Sequence, residues 1–314
     1  MARGAKEGLL PRGFGVRIKA LTPATRGRAL RTLDGFFGAL RASGGPLPDG
    51  LVVTLPKVTR GAEVAALAHA LAAIESAAGW RAGAIGIELM IETPCALVAS
   101  DGRLAPRGLV DAAGGRCAAV HFGTYDYTAG LGIVSSEQRP DHGACRLARR
   151  LLQLALAGTR VRISDGATTV MPIGPHRAAA GAGLSEAERA TNRAAVHAAW
   201  RLHTRYITEA LADGIYQGWD LHPGQLPARH AAVFAFFRAA APAAGARLRS
   251  FLGQAAQASR LGVAFDDAAT GQGLLNLFRK ARATGALDDD EVTALTGLPA
   301  EAVETRSFEA LIAR

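Results

Sequence analysis

Between residues 13 and 221 the chain alternates between short apolar segments rich in β-branched residues and longer alanine- and leucine-rich stretches of helical period. This constrains the fold more than any other feature, because strand–helix–strand units joined by crossovers build parallel sheets. Strands are expected at Gly13–Ala20, Leu51–Val58, Ala84–Thr93, Ala118–Gly123, Val161–Ser164 and Tyr216–Leu221. Helices are expected at Pro23–Ala42, Ala62–Gly79, Pro106–Gly114, Gly143–Ala157 and Ser185–Asp213, the last opening with a Ser-x-x-Glu capping signal at Ser185 and Glu188. The stretch after Gly123 is read as a loop, and Arg177–Gly183 as a glycine- and alanine-rich loop. Beyond about residue 226 the strand pattern stops, and Gln225–Ala244, Ala246–Gly262, Thr270–Thr284, Asp289–Leu295 and Ala300–Ala313 all read as helix.

Periodicity alone does not choose between a doubly wound sheet and a closed barrel, but the polar residues help. Arg17, Lys57, Glu92, Asp126, Asp165 and His222 all fall at or just beyond the C-terminal ends of expected strands, where a (β/α) barrel gathers its active site. A nucleotide-binding sheet would need a glycine-rich turn after the first strand, and none is present. The expected class is therefore α/β, a TIM (β/α) barrel over residues 1–230 followed by an α-helical C-terminal extension over 231–314.

Composition removes several function classes. Net charge is +9, yet the arginines are spread along the chain and no basic run is interleaved with aromatic residues, so no nucleic-acid partner is expected. No apolar run reaches the ~20 residues of a membrane span, and the N-terminus lacks a signal-peptide core, so no membrane is expected and the location read is cytoplasmic. Cys95, Cys117 and Cys145 have neither metal-type nor redox-type spacing and are read as inert thiols in a reducing compartment.

The carboxylates carry the chemistry. Glu88, Met90 and Glu92 share one face of a strand because side chains alternate with period two, and Thr93-Pro94 puts Glu92 at the strand exit. Asp126 lies three residues past Gly123, at the mouth of the next strand. Two carboxylates on adjacent strand ends suit a hard divalent ion such as Mg²⁺, although a paired structural Glu92 and a loop-capping Asp126 fit the same pattern. Arg17, inside an apolar strand, needs a partner: either a ligand carboxylate held by its fork, or a salt bridge to Glu88 or Glu92. Lys57 is read as a positioning charge rather than a Schiff-base amine, and His121 as a core histidine rather than an acid or base.

Taken in order, VRIKAL, LPKV, ELMIETPCAL, HFGTYDYTAGLG and GWDLHPGQL resemble strand ends of the HpcH/HpaI aldolase and citrate lyase β-subunit superfamily. Its members are Mg²⁺-dependent carbon–carbon lyases and related enzymes on a TIM barrel of the phosphoenolpyruvate/pyruvate type. The resemblance spans residues 13–230, closest to a branch marked by FGTYDYTAGLG, SDGATTVMPIGP and QGWDLHPGQLP. It implies that Glu92 and Asp126 bind the metal, Mg²⁺ or Mn²⁺, and that Arg17 holds the carboxylate of a pyruvate- or oxaloacetate-like group. The segment FDDAATGQG resembles the tail of malyl-CoA lyases, in which an aspartate is donated to a neighbouring subunit. Asp267 is the nearest match, which implies a homo-oligomer. Two departures stand out: Lys19 replaces the usual Asn, and the family's first two strands, with their acidic D-x-E-D end, have no counterpart before Gly13. The barrel is accordingly expected to be incomplete at its N-terminus, with open edges on its first and last strands.

The function expected is cleavage or formation of a carbon–carbon bond in a 2-oxo acid or related acyl-CoA-type substrate through a metal-stabilised enolate. The competing readings are an acyl-thioester hydrolase or a phosphoenolpyruvate-type enzyme on the same site, and an inactive truncated subunit retained through assembly.

Overall fold

The computed structural model describes residues 3–4, 7–11, 13–44, 46–260 and 268–312. Its sheet has six parallel strands among the described residues, paired in sequence order: β1 (Phe14–Arg17), β2 (Leu51–Leu55), β3 (Gly86–Ile91), β4 (Cys117–Phe122), β5 (Arg162–Asp165) and β6 (Gln217–Gly218). Helices α1 (Arg26–Ala42), α2 (Gly61–Ala78), α3 (Pro106–Asp111) and α5 (Gly143–Leu156) fall between consecutive strands, as the alternation requires. All six strands contribute to the lining of one cavity, so the sheet is curled. It is a half-barrel: β1 pairs with β2 and β6 with β5, and neither has a second partner among the described residues.

Period-two alternation sorts the strand residues onto two faces. Val53, Leu55, Ile87, Leu89, Ile91, Val120 and Phe122 are buried on the convex face, where they pack with Leu33 and Phe37 of α1, Leu67 and Leu71 of α2, and Leu152 of α5. The intervening residues, Arg17, Thr54, Glu88, Met90 and His121, fall on the concave face. Gly15 belongs to that second set for a steric reason. A Cβ there would lie 1.8 Å from the Val52 carbonyl oxygen.

Two compact units divide the chain: residues 1–168 with 217–219, and residues 169–216 with 220–314. The second is helical, built from α6 (Glu186–Ala212), α7 (Leu226–Arg260), α8 (Ala268–Ala283), α9 (Asp289–Thr296), α10 (Ala300–Thr305) and α11 (Phe308–Ile312). The capping box read at Ser185 and Glu188 is present at the start of α6. Phe237, Leu248, Phe278, Val292, Val303 and Phe308 form its core.

Three local expectations are corrected. The stretch after Gly123 is a helix, α4 (Thr124–Gly130), not a loop; seven residues are too few to show a helical period. The two helices expected on either side of Gly245 are one continuous α7 that also contains Pro242. Gly245 is a packing residue rather than a break, since a Cβ there would come within 2.5 Å of the Leu295 carbonyl oxygen on α9. The helix passes Pro242 because Phe237 and Ala241 before it, and Ala244 and Leu248 after it, are buried in the same core. Most of this helix falls in Pro223–Ala255, a stretch long and apolar enough by length and composition to cross a membrane. Those same core residues account for part of its apolar surface. Finally, the single helix expected over Ala300–Ala313 breaks between Thr305 and Phe308.

Candidate metal centre

Each functional side chain of the first unit is placed by a strand exit. Glu92 follows the last residue of β3, and Thr93 fixes that exit by donating its hydroxyl to the Val58 carbonyl at 2.9 Å. β3 and β4 pair in parallel with Ile91 opposite Phe122, and the Gly123 N–H donates to the Ile91 carbonyl at 3.0 Å. Position 92 therefore faces position 123, and only glycine fits there: a Cβ would lie 2.4 Å from Glu92 Cβ and 2.8 Å from its Oε2. Gly123 then caps α4 in an extended conformation, so Asp126 falls in the first helical turn, where the helix dipole favours an anion.

Each carboxyl group perturbs the titration of the other. Burial raises the pKa of Glu92, and the neighbouring Asp126 raises it further against the opposing Lys57 amide. For Asp126 the desolvation cost is outweighed by the Lys57 ammonium, the Glu92 carboxyl and the Arg17 charge, and its pKa falls. Glu92 is thus the first of the two to take up a proton as pH falls, and Asp126 keeps its charge longer. Lys57 completes the group. Its N–H donates to Glu92 Oε1 at 2.7 Å and its Nζ lies 2.5 Å from Asp126 Oδ1.

Arg17, the last residue of β1, forms no ion pair with a carboxylate among the described residues. Its Nη1 contacts Met90 Sδ at 3.9 Å and its guanidinium lies 5.3 Å from the Trp219 ring centroid. The salt bridges open to it in sequence are otherwise engaged. Glu88 accepts the Thr54 hydroxyl at 2.6 Å, and Glu92 holds the Lys57 amide. Burial raises the pKa of Glu88, partly offset by Thr54 and the charge of Arg162.

His121 is buried, stands edge-on to Trp219 with ring centroids 3.9 Å apart, and its Nδ1 has no hydrogen-bond partner among the described residues. Burial and the Arg17 charge pull its pKa down to about 3, so it is neutral at ordinary pH. Below this group the concave face encloses a cavity of about 490 Å³, whose lining includes Arg17, Thr54, Glu88, Arg162, Ser164 and Trp219.

The remaining strand-end residues have other work. Asp165 pairs with buried Arg149 at 3.3 Å and accepts the Gly166 N–H at 2.8 Å. His222 belongs to the second unit and caps a short 3₁₀ turn, its Nδ1 accepting the Gly224 N–H at 3.0 Å. Asp267 lies outside the described residues. Burial pushes the Cys117 thiol up to about 12 and that of Cys145 to about 11, so neither is a ready nucleophile. Sequence reasoning missed Trp219. Its signal was the period-two spacing from Gln217, which puts both on the cavity side.

Residues 1–311 match a family model described as a domain of unknown function, DUF6986. No curated protein matches the sequence. Among solved structures, a citrate lyase from Burkholderia xenovorans LB400 is 21% identical with a TM-score of 0.57, over 90% of this chain and 76% of that one. A lead(II) complex of Haloferax volcanii malate synthase is 16% identical with a TM-score of 0.50, over 73% of this chain and 55% of that one. The chain therefore spans about half the length of that malate synthase. Identities this low show a likeness in fold to these two proteins. With nearly its whole length matched, the chain is a member of the DUF6986 family.

Proposed function

We propose that this chain is a divalent-metal-dependent carbon–carbon lyase acting on a 2-oxo acid or a related acyl-CoA-type substrate. The observation that carries this reading is the joining of Glu92 and Asp126 through Lys57 at adjacent strand exits, beside an arginine that forms no ion pair among the described residues. The donor set fits Mg²⁺ or Mn²⁺. Such ions are commonly held by one or two carboxylates, with water and substrate oxygens completing the shell. Among the described residues no group of three or more His, Cys, Asp or Glu is placed to hold a metal ion, so the chain offers this centre two carboxylates. Gly123 leaves room beside Glu92 that any Cβ would fill.

When bound, the metal supplies Lewis-acid stabilisation of enolate charge. The chain's own residues do the rest. Arg17 offers a two-pronged donor to a substrate carboxylate, and Trp219 holds its guanidinium plane. His121, kept neutral, presents a ring nitrogen without adding charge. Asp267, contributed by a second copy of the chain, is the proposed group that moves the proton at the departing carbonyl. Similarity in fold to a citrate lyase supports this class of reaction.

The test is turnover of pyruvate with small aldehydes by purified protein. Activity should disappear with EDTA, return with Mg²⁺, and fall ~100-fold or more in Glu92→Gln and Asp126→Asn. Full activity in those variants would remove the metal assignment.

A further inference from the structure

Lys57 reaches both carboxylates with different atoms, its amide to Glu92 and its ammonium to Asp126. The arrangement is strained. Among the described residues Lys57 is the only non-glycine residue with positive φ, at 52°. An L-residue held in such a conformation costs on the order of 1–3 kcal/mol and persists where its surroundings impose it. Here Pro56 precedes it, Val58 behind it is fully buried, and the Val58 carbonyl is fixed by Thr93. The turn thus aims one amide at Glu92 while the side chain extends to Asp126. The ion pair does not explain the strain by its own stability, because both partners are about half exposed, at 53% and 50% of their side-chain surface. Pairs of that kind contribute little.

We infer that Lys57 is a built-in cation that occupies Asp126 in competition with the divalent ion. The inference rests on the metal reading above. An ammonium 2.5 Å from Asp126 Oδ1 lies where a cation bound to that oxygen would lie. A divalent ion on the same carboxylate would repel the ammonium beside it, so metal entry and the Lys57 contact oppose each other. The backbone N–H keeps its hold on Glu92 Oε1 throughout, because it needs no side-chain movement. Lys57 therefore has two separable roles: its amide orients Glu92, and its ammonium lowers the affinity of Asp126 for metal.

The experiment is Mn²⁺ binding to the full chain without substrate, read by the electron paramagnetic resonance signal of free Mn²⁺ and by calorimetry. The proteins compared are the unaltered chain, Lys57→Met, Lys57→Gly and Lys57→Arg. Glycine accepts positive φ, so Lys57→Gly guards against misfolding of the methionine variant. Both neutral variants should bind Mn²⁺ about tenfold more tightly, while Lys57→Arg stays near the original affinity. A lysine that merely braced the site would give the opposite sign. Unchanged or weaker binding in both neutral variants, with binding intact in the unaltered chain, overturns the competition and leaves the metal reading standing. No Mn²⁺ binding by any of the four overturns both. Binding by the neutral variants alone supports the competition in its strongest form.

Discussion

Gly123 lies so close to Glu92 that a methyl group on it would come within 2.4 Å of the glutamate Cβ and 2.8 Å of Oε2. Gly123→Ala should therefore disturb the centre without removing a single polar atom. Overpacking of this kind costs roughly 1–3 kcal/mol of stability. The displaced Glu92 should also cost metal affinity, ~10-fold or more. Calorimetric Mn²⁺ titration and urea unfolding of the variant check both effects; an unchanged metal affinity would show that Glu92 does not hold the ion.

Arg17→Lys keeps the charge but loses the planar fork and its contact with Trp219. The expected outcome is a KM for a 2-oxo acid raised about tenfold, equivalent to about 1.4 kcal/mol, with metal affinity unaltered. Steady-state kinetics beside a metal titration separates the two. A KM that stays put would mean the substrate carboxylate is held elsewhere.

His121 makes stability depend on pH. Its pKa in the fold is about 3, below the ordinary histidine value of 6.5. The unfolded chain therefore takes up a proton at 6.5 that the folded chain refuses until about 3. The contribution is fully present above pH 6.5 and is lost progressively as pH falls from 6.5 towards 3, at up to about 1.4 kcal/mol per pH unit. Urea unfolding at pH 7.5, 6 and 5 should show this slope, and His121→Leu should flatten it. Equal slopes in both proteins would mean that His121 is not held neutral.

Glu75 and Arg116 form a bidentate pair, with Nη1 2.7 Å from Oε1 and Nη2 2.8 Å from Oε2. The same carboxylate accepts the N–H groups of Gly83 and Ile85 and ties the end of α2 to the start of β3. Burial raises the Glu75 pKa, but these four donors outweigh it, and the net shift is downward. Its stabilisation is thus present above the ordinary carboxylate pKa and is lost as pH falls through the lowered value. Glu75→Gln leaves Arg116 without its anion and should cost ~3–5 kcal/mol at pH 7 by urea unfolding. A cost below 1 kcal/mol would mean that the guanidinium finds water or another partner.

Much of the half-barrel was legible in the chain because its signals are local. Period-two and helical patterning come from neighbours in sequence, and they located all six strands and the four longer helices between them. The same alternation put Glu88, Met90 and Glu92 on one face. Short elements escaped: α4 has too few residues for a period to show, and β6 shrank to Gln217–Gly218. Gly245 read as a helix breaker because propensity is blind to a partner fifty residues away. The Leu295 carbonyl is what demands the glycine.

The sequence by itself determined that Glu92 and Asp126 leave successive strands at the same end of the sheet, since strand–helix alternation makes the strands parallel and side-chain parity follows from local pattern. Only the tertiary structure decided that Lys57 bridges the two carboxyls through a strained backbone, and that Arg17 faces Trp219 rather than Glu88. Those relations depend on register and curl, which are set by long-range pairing between strands. No residue's immediate neighbours encode them.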